Sequence, residues 1–222
     1  PLLDKSLTRY HILVNGAQVY DSFEDKTLLR EELTPQQAMC MLHFLKSRNV
    51  LRGVYIDGLG HMSREDFSEI EAVAATPATA TLMRRSYQTD EDLDAVTAQH
   101  DSVQKIIAFF RNPDDKQATI REITARFPGY AVSSSLGNNI EINAQNATKG
   151  SALCFLCEKI GIPIGQCMAF GDGTNDYSML RAAGFGVAMG NASEEVQSCA
   201  DAVTETNEED GVARMIERVL GL

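Results

Sequence analysis

The last third of the chain alternates between short apolar segments typical of buried strands and segments with the pattern of amphipathic helices. The predicted strands are QCMAF, FGVAMG and DAVTE. The predicted helices around them are SALCFLCEKIG, TNDYSMLRAAG, SEEVQSCA and DGVARMIERVL. Strict alternation of strand and helix predicts an α/β fold with a parallel sheet covered by helices. In such sheets ligands bind beyond the carboxyl ends of the strands.

The middle of the chain has a different pattern. Thr34, Pro35 and Gln37 have the spacing of a capping box with proline at the first helical position, so they predict a helix over TPQQAMCMLHFLKSRN. Asp57-Gly58 predicts the turn of a hairpin in VLRGVYIDGLGHMS, which is followed by a helix after Ser63. The segment YAVSSSLGNNIEIN predicts a second hairpin.

Hairpins and helices in one segment predict a separate α+β unit inserted into the parallel-sheet domain. We therefore predict that residues 1–20 and 144–222 form the core and that residues 21–143 form the inserted unit. Both parts are long enough for a hydrophobic core, because the chain has 222 residues, of which 44% are hydrophobic.

The charge and the cysteines limit the class of protein. The net charge is −11, which argues against a general nucleic-acid partner, and the absence of a long apolar run argues against a membrane partner. The odd number of cysteines, five, predicts reduced thiols and a cytoplasmic location. Cys154 and Cys157 form a C-x-x-C that suggests zinc or redox chemistry. We interpret them instead as buried structural thiols, because the segment SALCFLCEKIG has an apolar helical stripe of Leu153, Leu156, Cys157 and Ile160, and no second C-x-x-C exists.

The turn AFGDGTNDYSML lies where a predicted strand becomes a helix. Asp172 would follow the strand and Asp176 would lie in the first helical turn, so both carboxylates could reach one point. Two carboxylates at one point suit Mg²⁺, and a helix beginning at Thr174 or Asn175 would favour a phosphate. The alternative interpretation is a turn followed by a capped helix.

Lys149, in NATKGS, is predicted at the start of a helix directly after the strand IEIN. A cation is unfavourable at a helix N-terminus because it opposes the helix dipole. Its position is explained if it faces an anion, such as a phosphoryl group or a carboxylate. For an isolated lysine a solvated side chain would be the better interpretation, and the nearby acidic turn favours the anion site.

The segments TKGSAL, AFGDGTNDYSMLRAAGFGVAMGNASEEV and ADAVTETNEEDGVARMI strongly resemble the C-terminal part of the haloacid dehalogenase superfamily, and of its Cof-type sugar-phosphate phosphatases in particular. YHILVNGAQVYD resembles the strand of that family that precedes an inserted cap domain. The resemblance covers the whole chain in layout, while its specific motifs occupy the last third. It implies a Rossmann-like core with an α+β cap and a phosphatase that acts on a small phosphorylated metabolite with Mg²⁺ as cofactor.

The resemblance also implies roles for individual residues. Asp172 and Asp176 would bind the metal, and Asp176 would take part in catalysis with Lys149. Lys149 would neutralise the phosphoryl group, and Asn175 would contact it. The remaining two, Asn15 and Gly16, would line the mouth of the site.

The mechanism of the family also needs a D-x-D after an apolar strand, whose first aspartate is the nucleophile. No such segment occurs here: GVYIDGLG is the nearest, and Tyr55 stands where the first aspartate should be. PLLDKSL resembles the end of a helix that follows the second strand of the family. We therefore expect that the leading part of the core is missing from this sequence, that the chain alone is inactive, and that it binds Mg²⁺ at best in the millimolar range.

Two alternatives stay open at this point. One is a non-catalytic protein that binds or senses a phosphorylated ligand without the nucleophile, and the other is a phosphomutase on the same scaffold. Substrate choice is expected to depend on the cap, where His61 is a candidate for contact with a sugar hydroxyl, although a lone histidine is more often structural or solvated. The sequence does not decide the oligomeric state.

Overall fold

A computed structural model describes residues 8–222, and the predicted helix end at PLLDKSL lies outside the described residues. The chain divides into two compact units. The first comprises the described residues up to Leu29 together with Thr148–Leu222, and the second is Arg30–Ala147. The domain boundaries predicted after residues 20 and 143 therefore precede the observed divisions by nine and four residues. Two strands explain both differences. The first unit includes residues 26–29 of a strand that spans residues 26–30, and the second unit includes the whole of a strand that ends at residue 144.

The first unit begins with three neighbouring strands, β1 (Tyr10–Leu13), β2 (Gln18–Asp21) and β3 (Lys26–Arg30). β1 and β2 are antiparallel, with Ile12 opposite Val19. The segment YHILVNGAQVYD was interpreted as one strand, and it is a hairpin instead. Its turn contains Asn15 and Gly16, both with positive φ (61° and 102°), a conformation that these two residue types tolerate best.

The second unit contains six strands and five helices among the described residues. In chain order they are α1 (Pro35–Lys46), β4 (Val50–Ile56), β5 (Leu59–Ser63), α2 (Arg64–Ser68), α3 (Pro77–Ser86), β6 (Tyr87–Asp90), α4 (Leu93–Ala98), β7 (Lys105–Phe110), α5 (Asp114–Arg126), β8 (Tyr130–Ser133) and β9 (Asn139–Ala144). The strands form one sheet in the order β6-β5-β4-β7-β9-β8. Its pairs are antiparallel except β5 with β6.

Local signals account for much of this unit. The capping box at the start of α1 is present, with the backbone N–H of Gln37 donating to the Thr34 hydroxyl at 3.2 Å. The β4–β5 hairpin turns at Asp57 and Gly58, which both have positive φ. The helix predicted after Ser63 is present as the short helix α2, which ends at Ser68 and is followed by a 3-10 turn over Ile70–Ala72.

Both faces of the six-stranded sheet carry apolar clusters. Residues an odd number of positions apart in one strand lie in different clusters: Val54 packs in one with Ile106, and Leu51 packs in the other with Ile107. Side chains of successive strand residues point to opposite faces, so both faces are buried over the centre of the sheet.

The rest of the first unit is α6 (Lys149–Ile160), β10 (Met168–Gly171), α7 (Tyr177–Ala182), β11 (Phe185–Ala188), α8 (Glu194–Gln197), β12 (Ala202–Val203) and α9 (Gly211–Leu220). β10, β11 and β12 pair in parallel and in that order. The predicted parallel α/β arrangement is confirmed, although α8 and β12 are shorter than their predicted segments. Within residues 8–222 no helix combines the length and apolar character needed to cross a membrane.

Candidate functional site

The GDGTND turn begins where β10 ends, at Gly171. Asp172 is exposed, residues 174–176 form a single 3-10 turn, and the α-helix begins only at Tyr177. The helix predicted to start at Thr174 or Asn175 therefore starts later, and α7 has only six residues. The turn is held by the Asp176 carboxylate, whose Oδ2 accepts hydrogen bonds from the backbone N–H groups of Asp172 and Gly173, both at 3.0 Å.

Space explains the first glycine of the turn. A Cβ at Gly171 would lie 2.4 Å from the Cβ of Asp176 and 2.9 Å from its Oδ2. Any side chain at this position would therefore displace the carboxylate that organises the turn.

Lys149 is the first residue of α6, after the N-cap Thr148. Its Nζ donates to Oδ1 of Asp176 at 2.5 Å, and the side chains of the two residues are 29% and 6% exposed. The cation at the helix start thus faces an anion, which in this structure is the Asp176 carboxylate. The start of α6 is fixed against α7, because the Gly150 amide donates to the Ser178 hydroxyl at 3.0 Å.

The hairpin between β1 and β2 lies beside this pair. A Cβ at Gly16 would lie only 2.2 Å from the carbonyl oxygen of Thr148, so the β1–β2 turn packs directly against the start of α6. The side-chain amide of Asn175 donates to Oδ1 of Asn15 at 3.3 Å. The structure therefore brings together Asn15, Gly16, Lys149, Asn175 and Asp176.

Asp172 has a different neighbour. Its Oδ2 accepts a hydrogen bond from the side-chain amide of Asn191 at 3.2 Å, and Asn191 Oδ1 accepts from the Asn207 backbone at 3.0 Å. Sequence reasoning missed Asn191. The signal was present, since Asn191 follows β11 and the carboxyl ends of neighbouring parallel strands meet at one edge of a sheet.

The donor set can be compared with the needs of Mg²⁺, which prefers oxygen ligands and commonly uses one or two protein carboxylates with waters and substrate phosphate. Asp172 and Asp176 supply ligands of this kind. However, both oxygens of Asp176 already accept hydrogen bonds, and no group of three or more His, Cys, Asp or Glu residues suited to a metal occurs within residues 8–222. The residues therefore fit a metal that takes most of its ligands from water and phosphate.

The predicted candidate His61 and the aspartates that are two positions apart lie in the second unit. His61 is buried, and its Nδ1 lies 2.9 Å from Oδ2 of Asp90, so its ring is held by a carboxylate of its own unit. Aspartates two positions apart occur at residues 90, 92 and 94, but Asp92 caps α4 by accepting from the backbone of residues 94 and 95. Asp90 is the last residue of the polar strand YQTD, which is not the apolar strand that a D-x-D nucleophile requires.

The interpretation of the C-x-x-C was right for one cysteine and wrong for the other. Cys157 is buried, whereas Cys154 is exposed. The apolar stripe of α6 does not include position 154, because residues three apart differ by about 60° around a helix of 3.6 residues per turn.

The chain matches a known protein family over almost its whole length. The family model described as haloacid dehalogenase-like hydrolase matches residues 2–216. The chain therefore belongs to the haloacid dehalogenase-like hydrolases. This confirms the family that the sequence motifs indicated.

The chain is also similar to individual proteins, one curated phosphatase and two proteins of solved structure. Phosphatase YwpJ of Bacillus subtilis (strain 168) is 52% identical over 87 residues, which are 39% of this chain and 30% of that protein. A haloacid dehalogenase-like hydrolase of B. subtilis with a solved structure is 29% identical, with a TM-score of 0.80 over 94% of this chain and 78% of that one. A solved subclass IIB sugar phosphatase is 21% identical and has a TM-score of 0.78, with 97% of this chain and 77% of that chain covered. At that identity the last similarity shows a shared fold.

Proposed function

We propose that the protein to which these residues belong is a Mg²⁺-dependent phosphatase of small phosphorylated metabolites such as sugar phosphates. The observation that carries the proposal is the arrangement at the end of β10, where Lys149 faces Asp176 beside Asn175 and Asn15. A cation, amide donors and exposed backbone at one edge of a parallel sheet suit a phosphate group. The names of the phosphatases to which the chain is similar support the same reaction class.

In this proposal the residues have separate tasks. Lys149 neutralises charge on the phosphoryl oxygens and releases Asp176 when a phosphate arrives. Asp172 and Asp176 would hold Mg²⁺, which would stabilise negative charge on the transferring group. Asn175 donates to a phosphate oxygen, and Asn15 with Gly16 forms the wall of the site.

The phosphoryl group is transferred to the carboxylate of the first aspartate of the D-x-D, and the second aspartate gives its proton to the leaving alkoxide and later regains one from the attacking water. Water then attacks the aspartyl-phosphate, which releases inorganic phosphate and restores the carboxylate. No apolar strand followed by D-x-D occurs in the 222 residues, so we propose that the nucleophile is supplied from outside them. The chain alone is then inactive.

The missing D-x-D also favours a second candidate, a non-catalytic protein that binds a phosphorylated ligand. A phosphomutase would share the same metal and phosphate residues, and analysis of the products separates phosphate transfer from hydrolysis.

We also propose that the protein is cytoplasmic. All five cysteines are free, which supports this location because the cytoplasm keeps thiols reduced.

The test is phosphate release by the product of the complete reading frame, measured over a panel of sugar phosphates with Mg²⁺ and with a chelator. We expect release only with Mg²⁺, and we expect Lys149→Ala to lower the rate by roughly 100-fold or more, as does removal of a charge-stabilising donor in other enzymes. Lys159→Ala is the matched control, because this lysine is exposed at the other end of α6. Full activity of Lys149→Ala, or no release on any substrate, would contradict the proposal.

A further inference from the structure

Two cysteine thiols of the first unit lie in contact. The Sγ atoms of Cys157, on α6, and Cys167, directly before β10, are 3.2 Å apart. The path of the chain produces this contact. α6 ends at Gly161 in the left-handed conformation, and a 3-10 turn over Ile164–Gln166 then leads the chain back along the helix to Cys167.

The two thiols differ in access to solvent. Cys167 lines an open groove of about 390 Å³ together with Gly165, Gln166, Met168, Phe185 and Val219. Cys157 is buried behind it, and burial raises the pKa of its thiol to about 11. One thiol of the pair can therefore meet a small oxidant, while the other is protected from solvent and lies in contact with the first.

We propose that Cys157 and Cys167 form a reversible disulfide when the protein meets a low-molecular-weight disulfide such as oxidised glutathione. The inference concerns these thiols and does not rest on the proposed phosphatase function. It adds a redox role to the buried thiol of Cys157, for which the sequence suggested a structural role alone.

The reaction has two exchange steps. The thiolate of Cys167 attacks one sulfur of the small disulfide, which breaks its S–S bond, forms a mixed disulfide and releases one thiolate. The sulfur of Cys157 then attacks the sulfur of Cys167 and releases the second thiolate. The two protons lost by the cysteines are taken up by the two released thiolates, which become thiols. Two protein thiols are therefore oxidised as one small disulfide is reduced.

The geometry requires a small movement. A disulfide has an S–S length of about 2.05 Å, so the sulfur atoms must approach by roughly 1.2 Å from their observed 3.2 Å. The new bond would tie the second half of α6 to the entry of β10. These are the elements that begin with Lys149 and lead to Asp172, so the bond would fix the spacing between two parts of the candidate site.

The exposed Cys154 is the competing partner and decides the design of the experiment. Trypsin cleaves after Lys149, Lys159 and Arg181, and so yields the peptides 150–159 and 160–181. The first contains Cys154 and Cys157 and the second contains Cys167. In Cys154→Ser protein, a disulfide between these peptides can join only Cys157 to Cys167.

The purified chain is treated with oxidised glutathione, free thiols are blocked, and the unreduced digest is analysed by mass spectrometry. We expect the linked peptides in the wild type and in Cys154→Ser, and their disappearance after dithiothreitol. Cys157→Ala should instead carry glutathione on Cys167. Circular dichroism of each variant verifies that it is folded.

Two results would overturn the proposal. One is absence of the linked peptides in folded Cys154→Ser protein at an oxidant concentration that modifies the exposed Cys40. The other is a Cys157→Ala variant in which Cys167 stays fully free, since this would show that the groove does not admit the oxidant.

Discussion

Replacement of Asp176 tests how the GDGTND turn is held together. The carboxylate accepts three hydrogen bonds, from Lys149 Nζ at 2.5 Å and from the backbone of Asp172 and Gly173 at 3.0 Å. The side chain is 6% exposed, so water cannot replace these bonds without a rearrangement of the turn. Loss of one member of a buried ion pair costs about 3–5 kcal/mol. Because the Lys149 side chain is 29% exposed and can regain water, we expect Asp176→Ala to cost about 3 kcal/mol, at the low end of that range.

Asp176→Asn separates the two kinds of contact. Its amide oxygen can still accept from the two backbone N–H groups, while the ion pair with Lys149 is lost. We expect a cost of about 1.5–2 kcal/mol, in the lower part of the range for one hydrogen bond to a charged group. The alanine variant should therefore be less stable than the asparagine variant by about 1–1.5 kcal/mol.

Urea unfolding followed by circular dichroism gives the free energy of unfolding, because the chain has no tryptophan for fluorescence. Hydrogen exchange at the amides of Asp172 and Gly173 reports on the first unit specifically. Glu158→Ala is the control, since Glu158 is exposed on α6 and such changes stay within about 0.5 kcal/mol. Equal stability of the two Asp176 variants, or a cost of less than about 1 kcal/mol for alanine, would refute this reasoning.

Three further predictions concern other parts of the fold. Gly150→Ala should destabilise the first unit by about 1–3 kcal/mol in thermal melting, because the new Cβ would lie 2.3 Å from a backbone oxygen of α7, whereas Gly129→Ala, with open space around it, should not. The Arg9 guanidinium lowers the pKa of Asp21 from 3.8 to about 2, so this pair stabilises the fold above pH 4 and the contribution is lost as the pH falls towards 2. Asp21→Asn should therefore flatten the dependence of the urea midpoint on pH in that window, and an unchanged slope would argue against the pair. For His61→Ala we expect lower stability of the second unit but unchanged relative rates on different sugar phosphates in the complete protein. A change in those relative rates would restore His61 as a substrate contact.

Much of the fold could be predicted because its signals are local. The capping box at Thr34 and the turn at Asp57-Gly58 each depend on residues within four consecutive positions. The parallel sheet follows from the alternation of strand and helix segments. The hairpin of β1 and β2 was missed although Asn15-Gly16 carries the strongest short signal for such a turn. α4 was missed in a polar stretch, where Asp92 as N-cap was the available signal.

The candidate site was harder to predict, because its contacts join distant parts of the chain. The types of residue needed for phosphate and metal were visible in GDGTND and at Lys149. The partners were not, since Lys149 is 27 residues from Asp176, and Asp172 is 19 residues from Asn191. Which side chains meet depends on how the parallel strands align and where α6 begins, and neither is determined by spacing in the sequence.

Calorimetric titration of Mg²⁺ into the 222-residue chain tests most directly whether the GDGTND turn and Lys149 form a metal and phosphate site. Mg²⁺ loses its water reluctantly, and here it must compete with Lys149 for Asp176. The account predicts binding at best in the millimolar range, lost in Asp172→Asn and unchanged in Glu158→Gln. Tight stoichiometric binding would contradict it, because the site would then be complete without further ligands. Binding that is unaffected by Asp172→Asn would contradict it too, because the metal would then lie elsewhere.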